Sequence, residues 1–284
     1  MVESGGEEGY SVMLQEILPL MAKLLEDEKT EVRYAATTAF VSIASLVQPE
    51  DLSFNVLTIV LRLAHEDERE EMRMSAAVLL NRLASILGRD LCSQFVIPEV
   101  LSLAEDPVFR VRKSTALNFE SVCRIGGEYE LFERLMPAFV RLSKDEMYRV
   151  RRACAESLST VSRAVSKDLR EGVLIEIFLR LSQDPSKLVR QSVLLQAGRF
   201  ISTLSSRSIS DNMLSIFISL AESPTGDASI DNELKHECAF SFPAVLITIG
   251  FERWPSLREV NCIKNVCMIQ LTLVLLNLVV SGSR

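Results

Sequence analysis

Two histidines, His65 and His236, are all that 284 residues provide. Most general-base and zinc chemistry runs through histidine, so this scarcity weighs against a hydrolase. No Gly-x4-Gly-Lys phosphate loop, Gly-x-Gly-x2-Gly fingerprint, Gly-x-Ser-x-Gly elbow or His-Glu-x2-His pair occurs. Glycine and proline are sparse, at 11 and 9 residues. Turn-rich β folds and low-complexity linkers use more, which favours helix. A basic excess is also missing: 31 Lys and Arg face 38 Asp and Glu, for a net charge of −7. Nucleic acid is therefore not an expected partner. The stretch Met1 to Gly9 is acidic and Gly-rich, unlike a secretory signal. Six cysteines (Cys92, Cys123, Cys154, Cys238, Cys262, Cys267) show no Cys-x2-Cys spacing. Reduced, buried thiols are expected, with no disulfide framework, no metal and no cofactor.

What is abundant is apolar side chains, 48% of the chain, and they recur with a long period. Val32-Arg33, Met72-Arg73, Val111-Arg112, Val150-Arg151 and Val189-Arg190 are spaced 40, 39, 39 and 39 residues apart. Six residues before each arginine stands an aspartate: Asp27, Asp67, Asp106, Asp145, Asp184. Two residues after it the side chain is small: Ala35, Ser75, Ser114, Ala153, Ser192. Ten after it stand Ile43, Leu83, Val122, Val161 and Phe200; twelve before it stand Met21, Leu61, Val100, Phe139 and Phe178. Pro19, Pro98 and Pro137 stand fourteen before it in three copies.

Within each copy apolar residues recur at three- and four-residue spacing on both sides of a short turn, so each copy predicts two amphipathic helices. A first helix such as 95–104 precedes the aspartate, and a second such as 111–125 starts near the Val-Arg. The proline should kink the first helix. The aspartate should cap the second, with Pro107 and Pro185 at its first position. A period of 39 with two helices is the HEAT-repeat pattern, and such pairs bury their apolar faces only by stacking. The expected fold is all-α, a HEAT-repeat α-α superhelix (solenoid) of about six helix pairs. Residues 1–10 form a flexible acidic N-terminus. The units are 11–48, 52–88, 90–127, 129–166, 168–205 and 209–251. In the sixth, the first helix covers 211–221 and a longer polar turn spans 222–232. Its second helix covers 233–249, with His236 at the arginine phase, Cys238 at the small position and a bend at Pro243. Residues 252–284 are a partial seventh unit with a divergent apolar tail.

The segments Phe109 to Phe119, Tyr148 to Glu156, Asp184 to Gln191 with Phe200 to Thr203, Lys235 to Pro243 and Leu257 to Glu259 carry a resemblance over residues 11 to 260. In these the chain resembles the regulatory subunit 1 family of serine/threonine protein phosphatase 4, itself similar to the type 2A phosphatase scaffold subunit. The resemblance implies a non-catalytic scaffold in cytoplasm or nucleus. Its partners would be the phosphatase 4 catalytic subunit and protein substrates. A HEAT adaptor of another kind, without a phosphatase, is the alternative. The chain departs from the family by starting inside the repeat array, by its short 222–232 turn, and after residue 260.

The aspartate–arginine ladder (Asp27, Arg33, Asp67, Arg73, Asp106, Arg112, Asp145, Arg151, Asp184, Arg190) reads as a structural device. Charge-assisted pairs between neighbouring repeats would fix their stacking. Phe109-Arg110 and Tyr148-Arg149, three residues before the ladder arginine, lie in the turn region; Thr30, Glu70 and Lys187 fill that position elsewhere. With Arg152 and Lys187 they form the candidate partner-binding set, because aromatic and arginine side chains dominate interface hot spots. The other reading folds the rings over the neighbouring turn.

Charge is uneven as well. Residues 1–109 carry 8 basic and 19 acidic side chains, whereas 110–170 carry 13 and 8. The basic band (Arg110, Arg112, Lys113, Arg124, Arg149, Arg151, Arg152, Arg163) would steer an acidic partner. Ser205 to Ser210 is a candidate phosphorylation stretch. The uncharged run 265–283 caps the solenoid in the preferred reading; a membrane anchor and a splicing product are the others.

Overall fold

The computed structural model describes residues 2–222, 228–250 and 252–253, and every regular element among them is helical. The chain divides into two compact units, Met1–Ser157 and Leu158–Arg284, with the boundary inside the helix Tyr148–Ala164. The expected seventh unit and the tail at 262–284 fall almost wholly outside the described residues, as does 223–227 of the sixth turn.

The first helix of each of the first five repeats passes through a wide π-helical turn, at Met13–Ile17, Leu52–Leu57, Cys92–Val96, Leu131–Leu135 and Arg170–Leu174. In repeats one, two, four and five a stretch of α-helix precedes it: Val2–Val12, Pro49–Asp51, Glu128–Glu130 and Lys167–Leu169. An α-helix follows: Leu18–Leu25, Thr58–Ala64, Ile97–Ala104, Met136–Leu142 and Ile175–Ser182. Pro19, Pro98 and Pro137 sit in the first turn of that α-helix, where the absent N–H is tolerated. This corrects the proline-kink expectation. The wide turn also occurs in repeats two and five, where Ile59 and Glu176 replace proline. Proline therefore fits the break but does not cause it. The sixth first helix, Asp211–Glu222, carries no such turn.

The second helices are Thr30–Ala44, Glu70–Leu91 (interrupted at Gly88, φ 77°, ψ 174°), Phe109–Leu117 with Glu120–Ile125, Tyr148–Ala164, Lys187–Ile201 and Ala228–Ile249. The third is not continuous over 111–125 as expected. Asn118 leaves helical geometry (φ −115°, ψ 53°) and its side-chain amide donates back to Ser114 O at 2.9 Å. The break drops Phe119 into the core against Phe139, with centroids 5.4 Å apart. The sixth second helix starts at Ala228, five residues earlier than expected, and runs on through Pro243.

Burial explains the period. Val100, Val122, Phe139, Val161, Phe178 and Phe200, from the positions twelve before and ten after the arginine, are all buried. Within repeat five the two positions meet directly, as Phe178 stacks on Phe200 at 5.1 Å. Burying one such ring contributes about 1.5–3 kcal/mol. At the small position Ser114, Ala153 and Ser192 are buried too, whereas Ser75 is half-buried and Ala35 exposed. Ser114 Oγ donates to Met74 O of the preceding repeat at 3.0 Å, an approach that a large side chain would block. The described cysteines, Cys92, Cys123, Cys154 and Cys238, are all buried. Burial pushes the Cys92 thiol up to about 11.

Candidate partner-binding surface

The ladder arginine first serves its own turn. Its Nη1 donates to two carbonyls of that turn in every copy, at 2.6–3.1 Å. Arg33 holds Asp27 O and Glu28 O; Arg73 holds Glu66 O and Asp67 O; Arg112 holds Asp106 O and Pro107 O. Arg151 holds Asp145 O and Glu146 O; Arg190 holds Asp184 O and Pro185 O. The six-residue spacing is the reach of this staple.

The aspartate closes the same turn from the other side. In four copies its Oδ1 accepts from the backbone N–H two residues on: Lys29, Val108, Met147 and Ser186, at 2.8–2.9 Å. This corrects the capping expectation. The aspartate makes an Asx turn ahead of the helix, and the residue before the third second helix is Val108. Pro107 and Pro185 lie inside the turn.

The second edge of the guanidinium reaches the next repeat. Arg73 holds Asp106 through two bonds, 2.7 and 3.3 Å, with both side chains at most 10% exposed. Arg112 holds Asp145 at 2.7 and 3.0 Å. Arg33 has no carboxylate partner among the described residues, and Asp67 is exposed.

Phe109, Tyr148 and Lys187 are the first residues of their helices, one step beyond the turns in which they were expected. Phe109 and Tyr148 are half-buried, whereas Arg110, Arg149, Arg152 and Lys187 are exposed. Arg149 joins the two rings. Its guanidinium lies 5.7 Å from the Phe109 centroid and 5.8 Å from that of Tyr148. Arg110 packs on Phe109 at 5.8 Å and pairs with Glu70 of the preceding repeat, which holds the arginine's proton more tightly than usual. Arg152 pairs with Glu156 at 2.7 Å. Lys113, Tyr148, Arg149, Arg152 and Glu156 line a cavity of about 230 Å³. Much of the basic band is thus already matched, since Arg124 also pairs with Glu120 and Arg112 with Asp145.

His65 stands at the end of its helix, with Nε2 3.5 Å from the buried Glu99. Burial raises the Glu99 carboxyl, while His65 pulls it down. His236 is exposed, and the buried neighbour facing inward is Glu237. The Ser205–Ser210 stretch is engaged rather than free. Ser206 Oγ donates to Ile249 O at 2.7 Å and Ser208 Oγ to Glu171 at 2.6 Å. No group of three His, Cys, Asp or Glu with metal-binding proximity lies among the described residues. No helix among them is long and apolar enough to cross a membrane.

Stapled turns, small residues at helix contacts and paired helices at a period of 39 define a HEAT-repeat array. Residues 17–47 and 135–165 match the HEAT repeat family. The karyopherin Kap121p, solved bound to the SUMO protease Ulp1p, has the same fold (TM-score 0.67, 17% identity). The match covers 87% of this chain and 26% of that one. Kap95p, solved with RanGDP, gives 0.56 and 15%, over 87% and 32%. The particular similarity in sequence is to serine/threonine-protein phosphatase 4 regulatory subunit 1. Over 112 residues the chain is 30% identical to the Homo sapiens and Mus musculus proteins, which is 38% of this chain and 12% of each relative. The chain thus spans only a small part of the length of the curated relatives that it matches.

Proposed function

We propose that this chain is a non-catalytic scaffold of a serine/threonine phosphatase 4 complex. It binds the catalytic subunit and presents protein substrates to it, in cytoplasm or nucleus. The observation that carries this reading is the 30% identity over 112 residues to a phosphatase 4 regulatory subunit, on a chain whose helices pair as HEAT repeats. The mechanism is positional. Phe109 and Tyr148, clamped by Arg149 at the starts of two neighbouring second helices, supply aromatic anchors; Arg110 and Arg152 supply charge beside them. Lys187 offers a further contact at the start of its own helix. Hydrolysis and the metals it needs belong to the partner.

The test is capture of purified phosphatase 4 catalytic subunit by the immobilised chain. Capture, weakened at least tenfold by Phe109→Ala with Tyr148→Ala, supports both function and site. Capture indifferent to that double variant keeps the function and removes the site. No capture at micromolar concentrations, with the chain folded by circular dichroism, overturns the reading.

A further inference from the structure

Two cations beside the aromatic pair have no carboxylate partner among the described residues: Lys113 and Arg149. Both line the cavity of about 230 Å³ that also takes Tyr148, Arg152 and Glu156. Arg149 is held in place there. Its guanidinium sits against the Phe109 and Tyr148 rings, and its Nε donates to the Tyr148 hydroxyl at 3.4 Å. An arginine fixed on ring faces keeps a rigid fork of N–H donors and loses little rotamer freedom when an anion arrives. Lys113 adds a compact charge with three donors.

Charge and size narrow the ligand. Lys113, Arg149 and Arg152 against Glu156 leave the cavity with a formal charge of +2. A phosphate monoester carries close to two negative charges at neutral pH and three strong acceptor oxygens; a carboxylate carries one charge and two oxygens. The cavity, about 230 Å³, is on the scale of a single phosphorylated side chain. The half-buried rings alongside offer apolar contact to the residues flanking such a side chain.

From these observations we propose that the Lys113–Arg149–Arg152 cavity binds a phosphorylated serine or threonine side chain of a protein partner. The site stands independently of the phosphatase reading, because it needs only this chain and a phosphopeptide.

The test is fluorescence anisotropy on the full chain near 0.15 M salt. The probe is a fluorescein-labelled Gly-Ala-Ala-pSer-Ala-Ala-Gly peptide, beside its serine and glutamate versions and with inorganic phosphate as competitor. The phosphopeptide should bind at least tenfold more tightly than the glutamate peptide, and phosphate should compete with it. Arg149→Gln and Lys113→Gln should each weaken it about tenfold, the loss of one charge-assisted contact. Phe109→Leu, which frees the arginine without changing charge, should weaken it severalfold. Arg141→Gln, paired elsewhere with Glu105, should leave it unchanged. Unaltered circular dichroism and melting of the variants separate a lost site from a lost fold. Equal binding of the glutamate peptide, indifference to both Arg149→Gln and Lys113→Gln, or no phosphopeptide binding at millimolar concentration overturns the proposal. Competition by phosphate without peptide binding overturns it as well.

Discussion

Repeats two to four and repeats five to six register their neighbours in different places. In the first group the joint lies at the turns, where Arg73 reaches Asp106 and Arg112 reaches Asp145. In the second it lies halfway along the second helices. Arg199 holds Glu237 through two bonds, 2.8 and 2.9 Å, and Ser241 Oγ adds a third at 3.1 Å. Beside them the helices come so close that a Cβ at Gly198 would sit 2.2 Å from Ser241 Cβ and 2.9 Å from Phe217 Cε2. The sixth repeat has Ile230 where the aspartate phase falls, six residues before His236. With no aspartate for the staple, the joint is made by a glycine contact and a buried glutamate. Charge pairs therefore join neighbouring repeats in two settings, across the turns in the first group and along the second helices, beside a close glycine contact, in the second.

The largest expected effect tests the turn joint. Arg73→Met leaves Asp106 buried without its cation and should destabilise the fold by about 3 kcal/mol. Arg33→Met removes bonds to two carbonyls and the Thr30 hydroxyl but no carboxylate pair, and should cost about 1 kcal/mol. Urea unfolding of both variants measures the difference; equal losses would show that the inter-repeat pair contributes nothing. Gly198→Ala tests the helix joint. Overpacking against Ser241, partly offset by better helix propensity, should cost about 2 kcal/mol, and a thermal midpoint at or above that of the parent would remove the close-contact argument. Glu237→Gln keeps the shape and removes the charge, and should cost about 1 kcal/mol in the same urea assay.

The smallest effect is one of pH. Partial burial raises the Glu171 carboxyl, but the Ser208 and Ser205 hydroxyls and the Ser205 amide, with Lys167 nearby, bring it down to about 2. Because the folded value is depressed, its stabilisation is full above the ordinary value of 4.5 and fades as pH falls from there towards 2. The urea midpoints of the parent chain and Glu171→Gln should therefore differ most at pH 6, differ less at pH 3, and converge only below about pH 2.

The turn joint was legible in the sequence because it repeats. Five aspartates six residues before five arginines announce a turn, and a small residue two further on announces close helices. Three features were hidden. The wide turns of the first helices recur where proline is absent, so no residue type marks them. The Asn118 break obeys the burial of Phe119, which depends on Phe139 in the next repeat. In the sixth repeat His236 stands at the phase of the arginines, but the residue that joins the repeats is its neighbour Glu237, held by Arg199 across the helix contact. Gly198 in the middle of an apolar helix was the signal that could have shown it. In the candidate surface, residue types pointed to Phe109 and Tyr148. That Arg149 spans both rings follows only from the distance between neighbouring helix starts.

The arginine staple has a consequence for association. Because Arg112 and Arg151 fix the backbone of their own turns, residues 106–109 and 145–148 hold their places before any partner arrives. Ordering a mobile interface side chain typically consumes about 0.5–1.5 kcal/mol of association free energy. A partner that docks on Phe109 and Tyr148 meets that ordering already done in the folding of the chain. Its binding entropy should be correspondingly less unfavourable than on a free loop.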